Sequence, residues 1–185
     1  MNLQRYSVSN NTPGERQLVT HTTRAIGLLL AMLGMMNAGA QSQQGHAAGS
    51  SQEVAFKKAI RQLYDIKESA WTKGDVEAIV TRFYAPDAVS VGEGDPTTLK
   101  GTKRFREAYK QLLQDITSVR VESVRSVVNG NAGWDWANFY ANVKPEKARE
   151  YPQSPVRILF LFSKEKGRWI CKGDIFVTGK FDEPL

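Results

Sequence analysis

Histidine and cysteine are nearly missing from this chain of 185 residues: His21 and His46 both precede residue 50, and Cys171 is the only cysteine. The stretch after residue 50 therefore has no imidazole. That removes Ser-His-Asp and Cys-His nucleophile pairs, histidine general-base catalysis and the usual zinc sites. A lone cysteine also excludes an intrachain disulfide, and its usual role is that of a small buried hydrophobe. No metal and no cofactor are expected, so any chemistry falls to carboxylates, lysines, tyrosines or bound water.

Charge of one sign is scarce as well. The net charge is +6, but Arg5, Arg16 and Arg24 stand against Glu15 in the first 40 residues, and the rest holds 22 basic and 18 acidic residues. These are interspersed, as in Lys164-Glu165-Lys166 and Arg104-Phe105-Arg106-Glu107. No nucleic-acid partner is expected without a basic block. The uncharged run over residues 25–36 is shorter than the roughly 20 residues that span a bilayer. It follows Arg24 and leads to Ala38-Gly39-Ala40, a small-residue cleavage site, so residues 1–40 read as a signal peptide and the exported form as starting at Gln41. An uncleaved anchor is the alternative. The expected location is secreted or periplasmic, without membrane attachment after cleavage. Residues 41–50 are small, polar and aperiodic and read as a disordered spacer, which leaves one domain over 51–181.

Within that domain the period of the apolar residues changes once. Phe56, Ile60, Leu63, Tyr64 and Trp71 recur at helical spacing after Ser50 and Glu53, a capping-box pair, and predict a helix over about 52–72. Gly74 ends it, and Asp75 caps a short second helix with Val76, Ile79, Val80 and Phe83 on its apolar face. A brief strand follows over 88–92, then a Gly/Pro/Thr loop. A third helix from Thr102 presents Phe105, Tyr109, Leu112 and Ile116. From there a period of two takes over. Strands are predicted over 118–128 and 133–143 about an Asn129-Gly130 hairpin turn, then over 156–163 and 168–178, with the 156–163 strand apolar on both faces and so central. Three helices before an antiparallel meander make an α+β fold with helices on one side of a curved sheet.

Four local motifs carry a resemblance. They are Ala70-Trp71-Thr72-Lys73-Gly74-Asp75, Phe83-Tyr84-Ala85-Pro86-Asp87-Ala88-Val89, Gly101-Thr102-Lys103-Arg104-Phe105-Arg106-Glu107-Ala108-Tyr109, and Gly167-Arg168-Trp169-Ile170. In this order they resemble the NTF2-like superfamily and, within it, the SnoaL-like and ketosteroid-isomerase-like branches. The resemblance implies a cone of three helices on a curved sheet, an interior pocket and a sheet-to-sheet homodimer. It leaves activity open, because one such fold carries many functions. Its register sets the steroid isomerases' general base on Gly92 and their two oxyanion donors on Lys67 and Ile158, so isomerase chemistry of that kind is not expected.

The same register turns Trp134, Trp136, Asn138 and Tyr140 toward the pocket, with Ile158, Phe160 and Phe162, and with Ile170, Lys172, Asp174 and Phe176. Periodicity alone leaves open the reverse, in which Ala137, Phe139, Ala141 and Val143 pack inside. Lys67, four residues after Leu63 and four before Trp71, interrupts an apolar stripe. It either faces the cavity, where burial lowers its pKa and Asp174 holds it charged, or runs its stem along the surface to water. The expected ligand-binding set is Lys67, Trp71, Trp134, Trp136, Asn138, Tyr140, Phe160 and Asp174, and the candidate acid-base groups are Asp174 and Glu93. Three functions fit these residues. The first is an exported module that binds a small, partly aromatic or anionic molecule. The others are an enzyme of the isomerase, cyclase or hydrolase kind using carboxylate acid-base chemistry, and a dimeric assembly module whose pocket is filled by its own side chains.

Overall fold

The computed structural model describes residues 44–94, 97–151, 154–183 and 185, with side chains from residue 51 onward. The signal peptide and the start of the spacer expected from sequence lie outside these residues. The described chain runs α1 (Gln44–Lys73), α2 (Val76–Ala78), a π-helical turn (Ile79–Phe83), β1 (Tyr84–Gly92), β2 (Leu99–Lys100), α3 (Gly101–Asp115), β3 (Ile116–Asn129), β4 (Ala132–Val143), β5 (Val156–Glu165) and β6 (Arg168–Thr178). Helix α1 begins at Gln44, so residues 44–50 of the expected spacer are helical and Ser50 lies inside the helix instead of capping it. Extending a helix adds a hydrogen bond for each residue fixed and needs no new nucleus. Asp75 does cap α2, accepting a 2.9 Å hydrogen bond from the Ala78 amide. No helix among the described residues is long and apolar enough to cross a membrane.

The six strands form one sheet in the order β2-β1-β6-β5-β4-β3, which places β5 inside it as its two apolar faces require. All pairs are antiparallel except β1 with β6. The β3–β4 turn is centred on Gly130-Asn131, one residue beyond the expected Asn129-Gly130, with Asn129 paired to Ala132. Gly130 sits at φ 60°, a conformation that glycine adopts without steric cost.

The helices cover one face of the sheet. Phe56, Ile60, Tyr64, Ile79, Phe83, Phe105, Val121, Ala137, Phe160 and Cys171 make the core between them. Helix α1 lies mainly against β3, and its Phe56 reaches across to Gly133 of β4. A side-chain carbon at Gly133 would come within 2.6 Å of the Phe56 ring. At the sheet's edge, α1 also grips β3: Arg61 donates to the Val121 carbonyl at 2.9 Å, and Glu68 accepts from the Val121 amide at 2.7 Å. An edge strand's free backbone groups invite pairing with other chains, and this clamp occupies one such pair.

Candidate functional site

Every third or fourth residue of α1 from Phe56 to Trp71 points into the core, and Lys67 belongs to that stripe. Its side chain is 1% exposed, so the stem does not run out to water. The ammonium donates to the Tyr84 hydroxyl at 2.6 Å and to the Tyr109 hydroxyl at 2.8 Å. Tyr84 in turn donates to Asp174 Oδ2 at 2.5 Å, and Ser90 donates to Oδ1 of the same carboxylate at 2.5 Å. The two phenols lie 2.9 Å apart. Since the Tyr84 proton serves Asp174, Tyr109 is the donor in that pair. Around the ammonium stand the faces of Phe83 at 4.3 Å, Tyr84 at 4.4 Å, Tyr109 at 5.2 Å and Phe160 at 5.6 Å. Such ring faces attract a cation, the more so when water is excluded.

Each group arrives by a local feature of its element. The π-helical turn widens the backbone just before β1, and Phe83 and Tyr84 are both buried in succession across it. Ser90 and Asp174 are partners in the parallel β1–β6 register. Asp174 faces inward because of a β-bulge: β5 pairs Leu161 with Gly173 but Phe162 with Cys171. The extra residue, Lys172, switches the inward set of β6 from Trp169 and Cys171 to Asp174 and Phe176. Of the expected inward residues on β6, Asp174 and Phe176 are therefore inside, while Lys172 turns out to pair with Asp87 and Glu165.

Burial sets the electrostatics here. It lowers the Lys67 pKa from 10.5 to about 8, against the opposing attraction of Asp174. It raises Tyr84 and Tyr109 well above the ordinary tyrosine value, and Asp174 adds to both shifts. Cys171, fully buried nearby, is also pushed up by burial and stays a thiol. The cluster thus holds an amine poised near neutral pH beside two protonated phenols and a carboxylate. Such convergent, perturbed groups mark candidate sites.

Four of the eight expected ligand-binding residues meet here. They are Lys67, Asp174, Phe160 and Trp71, whose indole N–H donates to the Ile116 carbonyl at 3.0 Å while its ring packs on Tyr109 and Phe139. The other four do not. Trp134, Trp136, Asn138 and Tyr140 alternate with the buried Asp135 and Ala137 and lie on the face away from the helices. Tyr140 stacks under Arg120 and donates to Glu122, and Asn138 binds the backbone of Phe181. At Gly133 the reason is steric, because the Phe56 ring leaves no room there for a side chain; the same inward face carries Asp135, Ala137 and Phe139. Glu93 is also elsewhere. Exposed at the end of β1, it accepts from the Thr178 amide at 2.6 Å, which lowers its pKa. The Gly92 position, vacant of a base, has no room for one, because any side chain there would collide with the Phe176 ring.

Tyr84, Tyr109 and Ser90 were not singled out from sequence, although a phenol on the apolar face of α3 was the same kind of signal as Lys67. A second buried acid was missed too. Asp135 accepts from Tyr64 and Ser123, both at 2.6 Å, and its pKa is raised by burial against those hydroxyls. Phe160 stands between the two carboxylates in the cross-strand row Ser90, Asp174, Phe160, Asp135. Among the described residues, no group of three or more His, Cys, Asp or Glu is placed to hold a metal ion.

Residues 60–171 match the model of the SnoaL-like domain. The chain is also 26% identical over 164 residues to one subunit of the glutamyl-tRNA(Gln) amidotransferase from Thermococcus gammatolerans, a match that takes in 83% of this chain but spans only 24% of that protein. Among solved structures it resembles a function-unknown protein of Mycobacterium tuberculosis, with TM-score 0.59, 13% identity and coverage of 78% of this chain and 80% of that one. An uncharacterized cystatin-like protein of Caulobacter vibrioides aligns with TM-score 0.56 and 17% identity over 68% and 91% of the two chains. An NTF-2 like protein of unknown function from Shewanella oneidensis gives TM-score 0.54 and 16% identity over 65% and 98%. At these identities the solved structures speak for the fold alone.

Proposed function

For a chain that belongs to the SnoaL-like domain family, with an NTF2-like fold, we propose the binding of a small anionic, partly aromatic molecule at the Lys67 ammonium. The observation that carries this reading is a buried lysine with two of its three hydrogens on phenols and the third left with ring faces. Burying an amine, a carboxylate and two phenols together costs stability that an apolar core would not. A ligand that supplies an acceptor and a flat ring would complete the amine's hydrogen bonding and stack on the surrounding aromatics. Partly buried Leu99, Leu112, Phe139 and Phe176 pack against the core that holds the cluster, and entry would be past them. Export, as the first 40 residues suggest, would put the protein where such molecules arrive from outside the cell.

Thermal melts against a panel of benzoate-type acids test it. Wild type should gain several degrees with at least one member at saturating concentration, since a ligand that binds only the folded state raises its stability. Tyr109→Phe should reduce the gain and Lys67→Met abolish it. A panel with no effect on wild type would count against the reading.

A second reading, self-association through the sheet, has its own support. On the face away from the helices, Trp136, Leu159, Ile175 and Val91 are successive cross-strand partners. They form an apolar row four strands wide, extended by Trp134, Leu161 and Val177, and Ile175 is 47% exposed. Contiguous apolar surface of this sort marks association sites. A two-fold axis parallel to the strands would set the β3 end of one copy over the β1 end of the other. An isologous contact of this kind uses the same patch of both copies.

A further inference from the structure

The segment after β6 lies on this same face. Asn138 is 2% exposed although it points away from the core, and what covers it is Phe181. The Asn138 amide nitrogen donates to the Phe181 carbonyl at 3.1 Å, and its oxygen accepts from the Phe181 N–H at 2.8 Å. One side-chain amide thus reads both backbone groups of one extended residue. The Phe181 ring meets Trp136 edge-on at 5.8 Å, and the Arg157 guanidinium sits 5.9 Å from the ring centre. Further along, Leu185 lines a groove of about 500 Å³ with Glu53 and Lys57 of α1 and residues 124–128 of β3. Residues 179–183 therefore leave β6 and cross the outer sheet surface over β5 to β4. Gly179 begins the crossing at φ 113°, in the region that favours glycine, and passes close to the Arg157 side chain.

We propose that residues 179–183 are a detachable strap that competes with a second copy of the chain for the outer sheet face. The inference rests on the self-association reading above. Its basis is overlap: the strap occupies Trp136, one end of the apolar row that a second copy would cover, and the amide that anchors it is the polar residue next to Trp136 on that face. Its hold is modest. Two neutral hydrogen bonds, one ring contact and one partly exposed cation are a small set of interactions. A second copy that buries the whole row can displace them, whereas a strap in place withholds Trp136 from it.

The test is the concentration dependence of association, by sedimentation velocity, for the chain of residues 41–185, the same chain with Phe181→Ala, and the chain ending at Thr178. Far-UV circular dichroism confirms that each is folded. With a competing strap, Phe181→Ala and the shortened chain should associate at concentrations lower by about tenfold or more, the ratio that corresponds to losing one or two such contacts. Association at unchanged or higher concentration in both variants would overturn the strap while leaving self-association standing, since the segment would then be neutral or part of the contact. If all three chains stay monomeric up to the solubility limit, the self-association reading fails, and the strap proposal fails with it.

Discussion

Lys67 shows how much one residue's surroundings decide. In the folded chain its pKa is about 8, against the ordinary lysine value of 10.5. Below pH 8 the folded and unfolded forms both carry the proton, and the fold bears the full penalty of a buried charge. Between those values only the unfolded chain keeps it, so the unfolded state binds more protons and stability rises with pH. Tyr84 and Tyr109, whose pKa values are raised, oppose this only above about pH 10, where unfolded tyrosines begin to ionise. Denaturant titrations should therefore show wild type gaining about 1–2 kcal/mol from pH 8 to 9.5. Lys67→Met should lack that rise. The substitution should also lower stability at pH 7 by about 3 kcal/mol, because it leaves Asp174 buried without its cation. A wild-type profile flat across this range would mean that the amine is solvated.

At the scale of elements, the contact of Phe56 on α1 with β4 helps to set which face of that strand is inside. The inward face carries Gly133, Asp135, Ala137 and Phe139, and the indole-bearing one is left outside. The tightest point is Gly133 against Phe56. Gly133→Ala should cost about 1–3 kcal/mol, the usual range for overpacking. In a Phe56→Leu background the same substitution should cost clearly less, because the shorter side chain leaves room. Equal costs in the two backgrounds, measured by urea unfolding, would show that the strain lies with the Val127 carbonyl instead, which is 3.0 Å from the added carbon.

For the molecule as a whole, one sheet separates two unlike surfaces. The helix side holds a closed polar-aromatic cluster, and the opposite side holds an apolar row with Ile175 near its centre. Ile175→Glu places a charge in that row and touches nothing in the core. It should change the melting temperature of dilute protein little, as surface substitutions usually shift stability by less than about 0.5 kcal/mol. It should abolish association at concentrations where wild type is dimeric, because an unpaired carboxylate would be buried between two sheets. Dimers that persist in this variant would place the contact elsewhere.

The sequence by itself determined the order of the three helices and the long strands, the helix stripe of α1, the caps at Gly74 and Asp75, and the family, because periodicity, turn residues and local motifs act over short distances. It also singled out Lys67, since a cation inside an apolar stripe is visible without a fold. The faces of β4 and β6 were decided only in three dimensions. Period two offers two equivalent faces, and the choice rests on tertiary packing such as that of Phe56 against Gly133. The bulge at Lys172, which turns Asp174 inward, leaves no mark in an alternating pattern. For the same reason Tyr84, Tyr109 and Ser90 came to light as partners of Lys67 and Asp174 only with the fold. They reach one point from α3 and from a strand 17 or more residues away along the chain, and such convergence is a property of packing that no single segment carries.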